Sequence, residues 1–151
     1  MERSSLTHRL ITKCSEREFS VIIDTSSWSL ALRRSNPVPS ISARLGALIQ
    51  SGDAYVLGCV RQEILSGVRD SKQFELLKNR LRSFPDLPLF QADYEVAAEF
   101  FNLFRSRGVQ GSNTDFLICA VASRRNLSIY TANYDFVTFK EHIDIQVELG
   151  Q

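Results

Sequence analysis

A chain of 151 residues with 44% hydrophobic and 23% charged residues carries enough apolar side chain for one sizeable core, the profile of a single globular domain. Eighteen basic residues against seventeen acidic leave a net charge of +1, which excludes nucleic-acid binding by bulk charge; any such site must be a local patch or depend on a bound metal. Cys14, Cys59 and Cys119 are odd in number and lack paired ligand spacing, which argues against a disulfide framework or a zinc site and for reduced thiols in the cytoplasm.

Met1–Glu18 is polar and has no apolar stretch of signal-peptide kind, so the expectation is a loosely ordered N-terminal extension, with the domain formed by residues 19–151. The longest apolar run is too short to cross a bilayer, so no membrane partner is expected. Phe19–Asp24 is a β-branched run ending on a carboxylate and predicts a strand; Thr25, Ser26 and Ser27 are helix-capping types ahead of a helix over Trp28–Arg34. Asn36-Pro-Val-Pro39 breaks the chain, and Ile41, Leu45, Leu48 and Ile49 have helical spacing closed by Gly52. Ala54–Leu57 predicts the second strand, Val60–Ser66 a short helix carrying Glu63 and capped by Gly67. Phe74, Leu77 and Leu81 mark another helix, ended by Pro85 and Pro88, after which Leu89-Phe90 suits a short strand. Asp93 is placed to cap a longer helix with Val96, Ala97, Phe100, Phe101 and Phe104 on its apolar face and Gly108 at its end.

The stretch Gly111–Phe136 is the most informative. Ser112-Asn-Thr-Asp115 has the spacing of a capping box, and Phe116–Ala122 is apolar throughout, as in a helix buried on nearly all sides. Leu127–Thr131 suits a buried strand, Phe136–Phe139 a short segment beyond it, and Ile143–Leu149 a final strand. Alternating strands and helices predict an α/β domain with a mainly parallel central sheet. In such sheets ligands bind beyond the carboxyl ends of the strands. Asp24 and Asp135 follow two strand ends, Asp115 begins the apolar helix, and Glu63 lies in a short helix. Each has a plainer role open to it: a turn for Asp24, a cap for Asp115 or Asp135, a solvated helix face for Glu63. Gathered together, such carboxylates repel unless protons or a cation neutralise them, and Mg²⁺ takes one or two carboxylates plus water. His8 and His142 have no nucleophile near them in sequence, and the phosphate-loop and dinucleotide glycine patterns are absent. A phosphorylated Asp24 in a receiver-like domain would want a neighbouring acid that this chain lacks.

Val-Ile-Ile-Asp24-Thr-Ser, Glu63-Ile-Leu-Ser-Gly67, Asp115-Phe-Leu-Ile-Cys-Ala-Val-Ala and Thr131-Ala-Asn-Tyr-Asp135-Phe136, in that order, resemble the motifs of PIN domains, most of all the VapC-type toxins of bacterial toxin–antitoxin pairs. The resemblance runs from about Val21 to the C-terminus. It implies a three-layer α/β/α fold and a Mg²⁺- or Mn²⁺-dependent endoribonuclease that activates water without a protein nucleophile. It further implies an RNA substrate, a cognate antitoxin protein and a homodimer. Carried over position by position, Asp24, Glu63 and Asp115 match the family's first three acidic residues. At the fourth, many members have Thr-x-Asp-x-Asp-Phe, whereas this chain has Asn133, leaving Asp135 to serve and metal affinity as the property at stake. Thr25, Ser26, Ser112, Thr131 and Asn133 match polar positions that orient the carboxylates. The other reading is a PIN-like module that binds RNA or protein and cuts weakly or not at all. Of the basic residues, Arg33-Arg34, Arg61, Arg69, Arg105 and Arg107 suit phosphate or plain surface, while Arg124-Arg125, at the far end of the apolar helix from Asp115, suit a structural role.

Overall fold

The computed structural model describes residues 20–32 and 36–150. The extension Met1–Glu18 with His8 and Cys14, the first residue of the expected strand at Phe19, and Arg33-Arg34 lie outside the described residues. Four parallel strands form one sheet in the order β2-β1-β3-β4: β1 Val21–Ile23, β2 Ala54–Tyr55, β3 Ser128–Thr131 and β4 Gln146–Leu149. The seven described helices are α1 Thr25–Ala31, α2 Pro39–Ser51, α3 Gly58–Leu65, α4 Ser71–Leu81, α5 Gln91–Ser106, α6 Asn113–Arg125 and α7 Asp135–Lys140.

β1 is wholly apolar because it is central: Val21 pairs with Ala54 on one side and Ser128 on the other, and Val21, Ile22 and Ile23 are all buried. α6 is buried from Phe116 through Ala122, as its unbroken apolar run requires. Its end is set by Asn126 in the left-handed region at φ 53°, a conformation asparagine tolerates better than most residues. The phenylalanines mostly make core rather than surface. Phe104 lies 5.1 Å from Phe116 and 5.0 Å from Phe139, ring centroid to centroid, and all three are buried. Among the described phenylalanines Phe90 is the exception, 59% exposed.

Three local expectations shift. α1 begins at Thr25 rather than Trp28, because Asp24 itself is the cap: its Oδ1 accepts from the N–H of Ser27 at 3.1 Å. Leu89-Phe90 forms no strand; Phe90 precedes α5, and its N–H donates to Asp93 Oδ2 at 2.8 Å. Asp93 therefore sits in the first turn of α5 instead of before it. The second strand stops at Tyr55, and Val56 makes only an isolated bridge to Asp86.

Candidate active site at the carboxyl edge of the sheet

From β1 the chain moves to β2 on one side, then returns to place β3 on the other, so β1 and β3 flank the point where strand order reverses. In open α/β sheets ligands bind at that point, beyond the carboxyl ends. Asp24 follows β1 directly and Thr131 is the last residue of β3. Thr131 Oγ1 donates to Asp24 Oδ2 at 2.7 Å from one strand end to the other. Ser26 Oγ lies 2.9 and 2.8 Å from the two carboxylate oxygens, and itself accepts from the N–H of Ala132 at 3.1 Å. The two strand ends are thereby laced together around one carboxylate. Asp24 is 3% exposed. Burial pushes its carboxyl above the usual aspartate range, and the bonds from Thr131, Ser26 and Ser27 oppose that shift without cancelling it.

Asp115 arrives from the other direction. Helices joining parallel strands run back against them, so the N-terminus of α6 lies at the carboxyl edge of the sheet. The capping box forms as expected: Ser112 Oγ accepts from the N–H of Asp115 and Asp115 Oδ2 accepts from the N–H of Ser112, each at 3.1 Å. Burial raises the Asp115 carboxyl, Ser112 works against the rise, and the charges of Asp24 and Glu63 add to it. The charges of two carboxylates from two other segments thus both act on Asp115. Glu63 is exposed on α3 and is held by Thr25 Oγ1, which donates to its Oε2 at 2.6 Å.

The fourth position is built differently. Asn133 donates its N–H to Thr131 Oγ1 at 2.9 Å, and its Oδ1 accepts from the N–H of Asp135 at 3.0 Å. Asp135 is the first residue of α7, not a loop residue, and is exposed. It joins the network through its backbone, its carboxylate reaching solvent. Among the described residues, no three acidic, His or Cys side chains close tightly enough to hold an ion by themselves. The donor chemistry nonetheless suits a hard divalent cation: oxygen ligands, and repulsion at Asp115 that a cation would relieve. Cys119, one turn beyond Asp115, is no alternative nucleophile; burial, with the Asp115 charge adding, drives its thiol far above the range where thiolate forms.

Thr25, Ser26, Ser112 and Thr131 each support a carboxylate, and the sequence pattern had marked all four. Gly111 was missed. A Cβ there would lie 2.7 Å from Phe116 Cζ and 2.8 Å from Phe139 Cζ, so only glycine lets the chain pass these rings and deliver Ser112 to its capping position. Its place directly before a capping serine was the available signal.

A sequence model of the PIN domain matches residues 21–141, which include all four acidic positions. The chain belongs to the PIN domain family. PIN domains are generally nucleases, so the carboxylate edge is a candidate hydrolase site. No curated protein matches the sequence. Among solved structures, this PIN domain is similar to FitAcB from Neisseria gonorrhoeae, with a TM-score of 0.68, 21% identity, and coverage of 84% of this chain and 95% of that one. It is also similar to VapBC2 from Rickettsia felis bound to a DNA fragment from their promoter, with a TM-score of 0.70, 17% identity, and coverage of 87% and 98%. VapBC-1 from nontypeable Haemophilus influenzae gives a TM-score of 0.68 at 15% identity, with coverage of 85% and 96%. At these identities the likeness is one of fold. No described helix is long and apolar enough to cross a membrane.

Proposed function

We propose that this PIN domain is a Mg²⁺- or Mn²⁺-dependent endoribonuclease that hydrolyses RNA phosphodiester bonds, and that it is the toxin of a toxin–antitoxin pair acting in the cytoplasm. The observation that carries the reading is the meeting of Asp24, buried, and Asp115, partly buried, with Glu63 beyond the β1 and β3 strand ends; burial raises Asp115, the charges of Asp24 and Glu63 add to the rise, and none of the three is ion-paired among the described residues. Asp24, Glu63 and Asp115 would hold the cation, with Asp135 contributing from solvent. When bound, the cation would lower the pKa of a water and neutralise charge developing on the phosphoryl group. The chain's own residues do the orienting: Ser26 and Thr131 fix Asp24, Thr25 fixes Glu63, and Ser112 fixes Asp115. Because Asp24 and Asp115 hold protons more tightly than free aspartates do, cation binding should strengthen as pH rises through their raised range. The likeness to VapBC and FitAcB structures supports a cognate antitoxin protein as partner. The homodimer rests on the sequence resemblance.

The test is cleavage of structured RNA by the purified protein with Mn²⁺, with Mn²⁺ plus chelator, and by Asp24→Asn with Mn²⁺. Cleavage only in the first supports the reading, and cutting that survives chelator and substitution contradicts it. One observation favours a second reading: the acidic groups do not close on a point among the described residues, and Asn133 stands at the fourth position. A binding module would shift RNA in a gel at every Mn²⁺ concentration and leave it intact.

A further inference from the structure

We propose that a cavity between α3, α5 and α6 receives an unpaired nucleobase of the RNA whose phosphate is engaged at the neighbouring carboxylates. The cavity holds about 490 Å³ and lies beside the first turn of α6: Asn113 and Thr114, which line it, immediately precede Asp115. On the α3 side it is lined by Cys59, one helical turn before Glu63 and on the same face. The Cys59 thiol is pushed up by burial and, further, by the Glu63 charge, so the cavity wall and the acidic edge are within electrostatic reach of each other.

The lining decides what part of a nucleotide fits. It contains no charged side chain, so it has nothing to offer a phosphate. It offers aromatic side chains at Tyr94 and Phe101, small ones at Ala97 and Ala98, and two carboxamides at Asn102 and Asn113. Tyr94 is 55% exposed, and Asn102 and Asn113 are both exposed, so these groups can be reached from solvent. Proteins read unpaired RNA by stacking bases on aromatic rings and bonding their edges to polar side chains, and a carboxamide carries both a donor and an acceptor for such an edge. A protein side chain in the same cavity would leave the two carboxamides without that match.

The inference rests on the ribonuclease reading for its ligand, so its test uses a readout that needs no cleavage. The isotopically labelled full chain is titrated with adenosine 5′-monophosphate, uridine 5′-monophosphate and ribose 5-phosphate while the side-chain amide signals of Asn102 and Asn113 are followed by NMR. The expected result is a saturable shift with at least one of the two nucleotides, none with ribose 5-phosphate, and affinity weakened about tenfold or more by Ala98→Phe, which adds a ring to the cavity lining. If that variant loses its dispersed spectrum, Asn102→Ala replaces it, with the Asn113 signal as readout and the same expected direction. Shifts that ribose 5-phosphate produces equally, no shift with either nucleotide, an unaltered affinity in the variant, or broadening with protein concentration alone because a second copy fills the cavity would each overturn the inference. A chain that shows the nucleotide shifts and cuts no RNA loses the ribonuclease reading alone; one that cuts RNA without the shifts loses this inference alone.

Discussion

Asp24 and Asp93 are both buried aspartates in the first turn of a helix or next to it, and their surroundings could hardly differ more. Asp93 is fully buried, accepts from the N–H of Phe90, and meets two guanidinium groups from the end of α6: Arg124 at Oδ1 and Arg125 at Oδ2. Arg125 also donates to the carbonyl of Pro88 and lies 5.2 Å from the centroid of the Phe90 ring. Burial alone would raise the Asp93 carboxyl, but the Phe90 N–H and the two arginines outweigh it and hold it below the usual range. Asp24, just as inaccessible, receives only hydroxyl and amide bonds and lies within electrostatic reach of Asp115, and burial raises its carboxyl. Folding completes the charge balance at one place and leaves it open at the other. Asp93 ties α5 to α6; Asp24 has a deficit of positive charge that an incoming cation can meet.

Exchanging charge for a neutral isostere breaks the comparison most sharply. Asp24→Asn and Asp115→Asn should each lower RNA cleavage by about 10³-fold or more, since a bound cation supplies several kcal/mol of transition-state stabilisation. Both should unfold cooperatively near the wild-type temperature: asparagine at 24 keeps a side-chain oxygen for the Ser27 N–H, asparagine at 115 keeps one for the Ser112 N–H, and an unpaired charge is removed. Asp93→Asn should do the reverse. Removing one partner of a buried ion pair costs about 3–5 kcal/mol; the partial exposure of Arg124 and Arg125 places this case near 3 kcal/mol. That corresponds to a Tm lower by about 6–12 °C, read by circular dichroism, with cleavage per folded molecule largely kept at low temperature.

The pH dependences separate the two sites further. A depressed aspartate stabilises the fold above the pKa of the unfolded chain, near pH 4, and the benefit is lost as pH falls through its folded value. A raised aspartate does the opposite: the folded state binds the extra proton, and stability declines as pH rises from that range through the raised value. The Tm of Asp24→Asn relative to wild type should therefore climb as pH rises from about 4, while that of Asp93→Asn should fall as pH rises through the lowered range of Asp93 toward about 4. Parallel curves for the two variants would remove the physical basis of the contrast.

How far this contrast was legible in the sequence depends on the distance between partners. The strand leading to Asp24, the capping box Ser112–Asp115 and the apolar run Phe116–Ala122 of α6 are local patterns; the structure contains all three, the strand shortened to Val21–Ile23. The capping role of Asp24 was hidden because three good capping residues follow it, and geometry chose the earliest. Arg124 and Arg125 were marked as structural from the helix dipole, but their partner lies 31 and 32 residues away on α5. No periodicity reports such a pairing, and Asp93 could be marked only as a cap. The bond from Thr25 to Glu63, 38 residues apart, was invisible for the same reason.

Smaller perturbations sharpen the comparison. Gly111→Ala forces a Cβ against Phe116 and Phe139, so a stability loss of about 1–3 kcal/mol is expected, together with a several-fold fall in cleavage as Ser112 and Asp115 are displaced. Denaturant titration and a cleavage assay on the same preparation check both. Asp135→Asn should have the least effect: its carboxylate is exposed and joins the network through its backbone, so raising Mn²⁺ should restore much of the cleavage. If Asp135→Asn is inactive at every Mn²⁺ concentration while Asp115→Asn still cuts, the ranking of the carboxylates is inverted.

The most direct test of the open charge balance is the Tm of the wild type, Asp24→Asn and Asp93→Asn at neutral pH, each with and without Mn²⁺. At about 100 times its dissociation constant a bound ion adds about 2.7 kcal/mol, so the wild type should rise by about 5–10 °C. Asp93→Asn should start lower and rise by the same amount, and Asp24→Asn should start near the wild type and not rise. An unmoved wild type, or an Asp24→Asn variant that rises as far as the wild type, would contradict the assignment of the carboxylate edge as a cation site.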